Sequence, residues 1–385
     1  MFRELWFEFR KIWKSRFLWG MFVVLILIDI YQITQNVHSI TSISDGEKKI
    51  YEKICGEYTE EKNTWLLETL SAYEEQIKNG GYETGGQVEG TYTGYVMGDY
   101  MVLESNYEQM KEDYQYRTYA KQIAEKAKNN VERLQGTKYQ FERNKYSMIY
   151  HSFAKRKITA FHYDDLVNSF FEYDFSTILE ILIVVVGTLN FLDRNRRFKM
   201  LELMDTAKIA KRKYRFCQLA SIFLFAGMIL AIFTGIDLLL FQRGNLSIDN
   251  WLDPLYSVQG YEETLFDGSV FQFFLMWLLG RYLVLVFFGV FLFACYSVFY
   301  NETVTIALEM VMFVGSVTIC LNWKWWWNPI GLLNSQEIWK AHDLYNFFSI
   351  PVLYHEVISV SLLLAILVCG SVGVMFENRK RIFER

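Results

Sequence analysis

The apolar positions gather into six long runs separated by charged segments. These runs are Phe17 to Thr34, about Asp174 to Leu192, Gln218 to Phe241, about Phe271 to Val298, Thr303 to Leu321, and Glu356 to Phe376. A helix crosses hydrocarbon with about 20 mainly apolar residues. Backbone polar groups find no water there, so each run predicts a membrane-spanning helix. Ahead of the first run, Phe2, Leu5, Trp6, Phe9, Ile12 and Trp13 follow helical spacing while Arg3, Arg10, Lys11 and Lys14 take the polar positions. This pattern over residues 1–16 predicts an amphipathic helix in the membrane interface. A simple extension of the first span is the plainer alternative.

Residues 35–173 carry no apolar run of spanning length. Helical spacing recurs instead at Tyr51, Ile54, Cys55 and Tyr58, at Leu103, Tyr107, Met110 and Tyr114, and at Ile123, Ala127, Val131 and Leu134. Between these regions, Asn79 to Tyr100 holds seven glycines among tyrosines and threonines. That stretch reads as a turn-rich connection or short hairpin, with a substrate-contacting flap as the sharper possibility. The expected fold class is an all-α polytopic membrane protein. It has six transmembrane helices, an N-terminal interfacial amphipathic helix and a mainly helical extracellular domain between spans one and two.

Basic residues set the orientation. Arg3, Arg10, Lys11, Lys14 and Arg16 precede the first span, and nine Lys or Arg residues from Arg194 to Arg215 lie between the second and third. Arg379, Lys380, Arg381 and Arg385 end the chain. The 242–270 loop has Arg243 against Asp249, Asp253, Glu262, Glu263 and Asp267. Both termini and the 193–217 loop are therefore expected in the cytoplasm. Segments 35–173, 242–270 and 322–355 are expected outside, and 377–385 forms a cytoplasmic tail.

Composition narrows the function. The chain is 52% hydrophobic with a formal net charge of −4, which argues against a nucleic-acid partner. Of the five cysteines only Cys55 falls in the external segment, so no disulfide framework is expected there. His38, His151, His162, His342 and His355 are scattered and no CxxC occurs, so no metal ligands are assigned. There is no HExxH, no G-x-S-x-G and no phosphate-cradling G-x-x-x-x-G-K-[ST]. The His162-Tyr163-Asp164-Asp165 cluster lacks a nucleophile, and no catalytic residue is assigned.

The 193–217 loop is the most specific feature. Met200, Leu201, Leu203, Met204 and Ala207 give a short apolar helical face between basic flanks. With the entry helix and six spans, this loop resembles the ABC exporter permeases of the second type. In that family an acidic-Arg-x-x-Gly stretch leads to a Leu-Glu-Leu-Leu helix, then Thr-Pro and a basic pair. The matching positions are Asp193, Arg194, Leu201, Glu202, Leu203, Met204, Thr206, Lys211 and Arg212. Lys199 stands where the family usually has Gly, Ala207 where it often has Pro, and Asp193 where it has Glu. Asn328-Pro329-Ile330 after the fifth run is also similar to the family.

The resemblance implies a coupling helix at Met200, Leu201, Glu202, Leu203, Met204, Thr206, Lys211 and Arg212, docking on a cytosolic ABC ATPase dimer that binds the ATP and Mg this chain does not. It further implies a second permease subunit, identical or homologous, and a bacterial plasma membrane surrounded by its lipids. Export is the expected activity, with no cofactor in this chain; the family moves peptides, lipids and other amphiphiles, and nothing in the sequence chooses among them. A receptor or scaffold that senses a ligand outside, and an ion-coupled secondary transporter, are the alternatives. Nine basic residues beside a membrane also suffice to fix topology and bind anionic lipid.

Five ionisable residues interrupt the runs: Asp29, Glu180, Asp237, Arg281 and Glu309. Each costs about 2.5–3.5 kcal/mol near a span centre unless paired or wetted. Asp29, Glu180 and Asp237 sit toward the outer ends of their runs, where hydration suffices. Arg281 and Glu309 lie deeper on consecutive antiparallel spans and are expected to form an intramembrane ion pair; a proton or sodium relay is the sharper alternative. Past the fifth run, Trp323, Trp325, Trp326 and Trp327 form an aromatic belt. With Asn328 and Pro329, Trp325 to Trp327 mark the expected external exit region, and Pro329 and Pro351 bracket expected re-entrant or interfacial helices.

Overall fold

The computed structural model describes residues 2–41, 45–79, 91–136, 138–197, 211–242, 250–299, 301–322, 328–333, 339 and 344–375. Five stretches are long and apolar enough to cross a membrane: Arg16–His38, Asp165–Asn195, Lys213–Phe241, Val270–Phe299 and Tyr354–Met375. This is the architecture of a multi-pass, all-α membrane protein. The helices that carry them are α2 (Arg16–Thr41), α7 (Asp165–Glu172) continuing into α8 (Phe175–Arg197), α9 (Lys211–Phe241), α10 (Val270–Phe299) and α12 (Tyr354–Met375). The remaining run, the fifth, forms a 21-residue helix, α11 (Glu302–Asn322). Most ends overrun the apolar runs; α9, for example, begins seven residues before Gln218, among basic residues.

Helix α10 is apolar on every side, as expected of a helix enclosed by others. It packs against α8, α9, α11 and α12. By contrast α2 shows Phe17, Val23, Val24, Leu27 and Tyr31 outward, and α12 shows Val360, Leu364, Leu367 and Val368. Such faces suit contact with acyl chains. Two glycines allow close helix contact. A Cβ on Gly187 of α8 would fall 2.5 Å from the Phe225 ring, and one on Gly289 of α10 would fall 2.7 Å from Ile222.

Between α2 and α7 lies a helical domain of α3 (Asp45–Ile54), α4 (Glu60–Lys78), α5 (Val96–Arg133) and α6 (Gln140–Phe153). Thr59 caps α4 by accepting from the Lys62 N–H at 3.3 Å, and Glu60 and Glu61 suit the positive end of the helix dipole. The two-residue strands β1 (Gly56–Glu57) and β2 (Ala160–Phe161) pair antiparallel and tie the start of the domain to its end. At 38 residues, α5 is about 57 Å long. Its first half closes a core with Ile50, Ile54, Leu66 and Tyr73, and its second half closes another with Ile149, Phe153 and Ile158.

Some expected stripes shift. The α3 stripe ends at Ile54 because Gly56 takes a φ of +92° and turns the chain into β1, leaving Cys55 and Tyr58 outside the helix. Tyr114 is exposed, and the buried line in the second half of α5 is Tyr116, Ala120, Ala124 and Ala127. Residues 80–90 of the glycine-rich connection lie outside the described residues, and Val96 to Tyr100 already belong to α5. Asp99 receives its far end, accepting from the N–H groups of Tyr92 and Thr93 and from the Tyr73 hydroxyl, each at 2.6 Å.

The domain is seated on the bundle by the segment between α9 and α10. Arg156 of α6 donates to the Thr264 carbonyl at 2.7 Å and pairs with Asp267. Tyr116 donates to the Glu262 carbonyl at 2.8 Å, and Asp164 accepts from Asn250 at 3.0 Å and from the Gln259 N–H at 2.9 Å. A second prop is a β-hairpin, β3 (Leu344–Phe347) and β4 (Ile350–Leu353), against α6. It replaces part of the expected interfacial helices; the described helical residues there besides α12 are a 3₁₀ turn at Pro329–Leu333 and Trp339.

Burial pushes the Asp164 carboxyl up to about 7, opposed by the Gln259 N–H and reinforced by the nearby Asp113, itself raised to about 6. Because the folded form holds these protons more tightly than the unfolded chain, their stabilising contribution is complete at acidic pH and disappears as pH rises through about 7. The wild-type chain in detergent is therefore expected to melt at a lower temperature at about pH 8 than at about pH 5.5. Asp164→Asn should reduce that difference, leaving the share of Asp113, while costing about 1 kcal/mol for a lost acceptor. Equal wild-type melting temperatures at the two pH values would contradict this account.

Candidate functional site

Among the described residues, the bundle encloses one ionic network. Arg281 on α10 is 1% exposed, and its Nη2 donates to Glu180 Oε1 at 2.8 Å and to Ser176 Oγ at 2.9 Å. Ser176 and Glu180 stand four residues apart on one face of α8. Nη1 of Arg281 lies 3.8 Å from Asp237 Oδ2 on α9, and the guanidinium covers the Trp277 ring one turn earlier, 4.5 Å from its centroid. Asp29 on α2 accepts from the Tyr173 hydroxyl at 2.8 Å and is within hydrogen-bonding reach of Asp237. Four helices are thus joined through charged or polar groups inside an apolar bundle.

This corrects the expected Arg281–Glu309 pair. Arg281 is engaged by Glu180 and Asp237, and both Glu309 oxygens lack a hydrogen-bond partner among the described residues. It also corrects the expectation that Asp29, Glu180 and Asp237 are wetted at the helix ends, since they are 0%, 0% and 2% exposed. Sequence reasoning missed Tyr173, Ser176 and Trp277. The usable signal was the Ser176–Glu180 spacing on α8, which turns two polar groups toward one neighbour.

A second polar assembly lies at the opposite end of the bundle. α1 (Phe2–Ile12) packs across α9 and α8, burying Phe9 and Ile12 while Trp6 and Phe7 stay exposed. The expected polar face is partly buried: Lys11 donates to Glu8 at 2.5 Å and to Asn195 Oδ1 at 3.3 Å. Burial raises the Glu8 carboxyl above the usual range, with Lys11 acting against it. Lys213 pairs with Glu4 at 2.8 Å, and Asn190 donates to Ser15 at 2.8 Å. Asn195 and Lys213 flank the basic loop, so α1 is stapled to the chain on both sides of it.

The expected coupling residues Met200, Leu201, Glu202, Leu203, Met204 and Thr206 lie outside the described residues. Lys211 and Arg212 open α9. In the expected exit region Trp325, Trp326 and Trp327 also lie outside the described residues, and Pro329 opens the 3₁₀ turn. Asn328 is buried, donating to the Ser316 carbonyl at 3.1 Å and accepting from the Ile330 N–H at 3.1 Å, which pins that turn to α11. Among the described residues no group of three His, Cys, Asp or Glu side chains is placed to hold a metal ion. On the helical domain, a cleft of about 530 Å³ is lined by Tyr51, Tyr163, Glu47, Glu108, Glu112 and Asp165. No protein-family model, curated protein or solved structure matches this chain.

Arg281→Met is expected to destabilise the bundle by about 3–5 kcal/mol, because Glu180 and Asp237 keep their buried charges without a partner. Adding Glu180→Gln should recover part of that loss, whereas Glu309→Gln should leave stability unchanged or raise it. Thermal unfolding of the four variants in detergent checks this. A rescue of Arg281→Met by Glu309→Gln instead of Glu180→Gln would reinstate the other pairing.

Proposed function

We propose that the chain is the membrane subunit of an ATP-driven ABC exporter of the second type. In this proposal all six helical runs cross a bacterial plasma membrane, with both termini and the basic loop in the cytoplasm. A second copy or homologue completes the pathway, and a cytosolic ATPase dimer docks on the loop between α8 and α9 and supplies the ATP chemistry. The supporting observation is the double staple: Asn195 on one flank of the loop and Lys213 on the other are both held by α1. A push on a loop tethered in this way moves α1, α8 and α9 together as one body, which is what transmission of nucleotide-driven closure requires. Basic flanks suit the loop to steering toward an acidic groove, and its apolar Leu and Met residues suit an anchor there.

Affinity purification of the full chain from its native membranes is expected to carry an ABC ATPase. Leu203→Asp together with Met204→Asp should weaken that capture about 30-fold, the equivalent of the ~2 kcal/mol of a hot-spot contact. Lys11→Met should leave capture intact and lower hydrolysis by the reconstituted complex. A chain that brings down no ATPase, or whose ATPase ignores the loop substitutions, removes the proposal; capture of a signalling protein would favour a receptor that uses the acidic cleft.

A further inference from the structure

Three carboxyl groups meet one guanidinium where α2, α8, α9 and α10 cross. Asp29, Glu180 and Asp237 are each at least 98% buried, and Arg281 supplies a single positive charge. Fully ionised, the group would hold two uncompensated negative charges in apolar surroundings, a heavy desolvation cost. Glu180 has the closest claim on Arg281, at 2.8 Å, while Asp237 is held at 3.8 Å. Asp29 and Asp237 are left in hydrogen-bonding reach of each other. Carboxylates only accept hydrogen bonds, so that contact holds only when a proton lies between them. Asp29 Oδ2 and Asp237 Oδ1 have no other donor among the described residues. The remaining polar groups facing the pair are Tyr173 at the α7–α8 junction and Ser176 on α8, with Asp174 near enough to feel Arg281.

We propose that Asp29 and Asp237 form a proton-binding pair, loaded from the domain-bearing side of the membrane through Tyr173, and that the bound proton holds α2 against α9. Tyr173 occupies the connecting position. Its hydroxyl donates to Asp29 Oδ1 at 2.8 Å, and the residue also lines a cleft of about 410 Å³ between Gln32 and Asn36 of α2 and Glu172 and Asp174 of the α7–α8 junction. During loading, the Tyr173 oxygen takes a proton from cleft water as its own hydroxyl proton passes to Asp29, so one proton crosses and the phenol ends neutral. Release is the reverse. Emptying the pair leaves two carboxylates side by side, and α2, which meets the bundle along one face only, is the helix free to move away from α9. Neither ATPase nor nucleotide is needed for this, so it stands apart from the exporter assignment.

The test uses the full chain in lipid nanodiscs without nucleotide. Infrared difference spectra at neutral pH, wild type minus Asp29→Asn and wild type minus Asp237→Asn, should each contain the C=O absorption of a protonated carboxylic acid, with the contribution of Asp164 cancelling. In Tyr173→Phe the band should persist but exchange into heavy water on the order of tenfold or more slowly. Raising the pH should lower the melting temperature of Asp237→Asn less than that of the wild type, because its amide donates to Asp29 without a proton while Asp164 and Asp113 still titrate; this variant also guards against loss through misfolding. The pair is overturned by absence of the band from both difference spectra, or by stabilisation with sodium at fixed pH with the same pH response in the wild type and in Asp237→Asn. Unchanged exchange in Tyr173→Phe overturns the route.

Discussion

The positive charge of Arg281 inside an apolar bundle is the constraint around which the helices are set. Because α10 is apolar all round, burial alone leaves its rotation about its own axis undetermined. A turn of one residue position, about 100°, would carry the guanidinium away from Glu180 and Asp237 and leave charges stranded at a cost of several kcal/mol. The ionic network therefore chooses the rotation, and the close contacts at Gly187 and Gly289 hold the helices near enough for it to form. Hydrophobic burial assembles the bundle, and the charges make its arrangement unique.

Much of the helical architecture was legible, because six apolar runs of spanning length leave little choice of secondary structure. The partner of Arg281 was not, and the reason is directional. Helical side chains lean toward the N-terminus of their own helix. Arg281 lies eleven residues into α10, about 16 Å from its start, and leans back toward the helical domain, where Glu180 sits. Glu309 lies seven residues into α11, about 10 Å from its start, and that helix runs the opposite way, so its carboxyl leans toward the α1 end. Adjacent antiparallel helices thus point these two side chains apart. The β3–β4 hairpin was hidden for another reason. Its turn places Phe348 and Ser349 at φ of 50° and 66°, a conformation that usually announces itself through Asn or Gly. Asn346 compensates by accepting from the Ser349 N–H at 2.9 Å.

The two polar assemblies share helices. At one end α1 grips α8 and α9 through Asn195 and Lys213; toward the other, Glu180 and Asp237 on the same two helices grip α10. A shift of the α8–α9 pair at the α1 end is consequently felt at the Arg281 network, where a small change in helix spacing separates charges that apolar surroundings do not screen. Apolar contacts would let the pair slide with little penalty, whereas the ionic contacts oppose sliding.

The seating of the helical domain has a consequence for how the chain is made. Arg156 awaits Asp267, which is 111 residues further along, and Asp164 awaits Asn250 and Gln259, 86 and 95 residues away. All of these partners are synthesised after α9. The domain emerges from the ribosome long before its seat exists, and must hold its shape on the first core of α5 while the second still lacks Leu265 and the third and fourth apolar helices are being inserted.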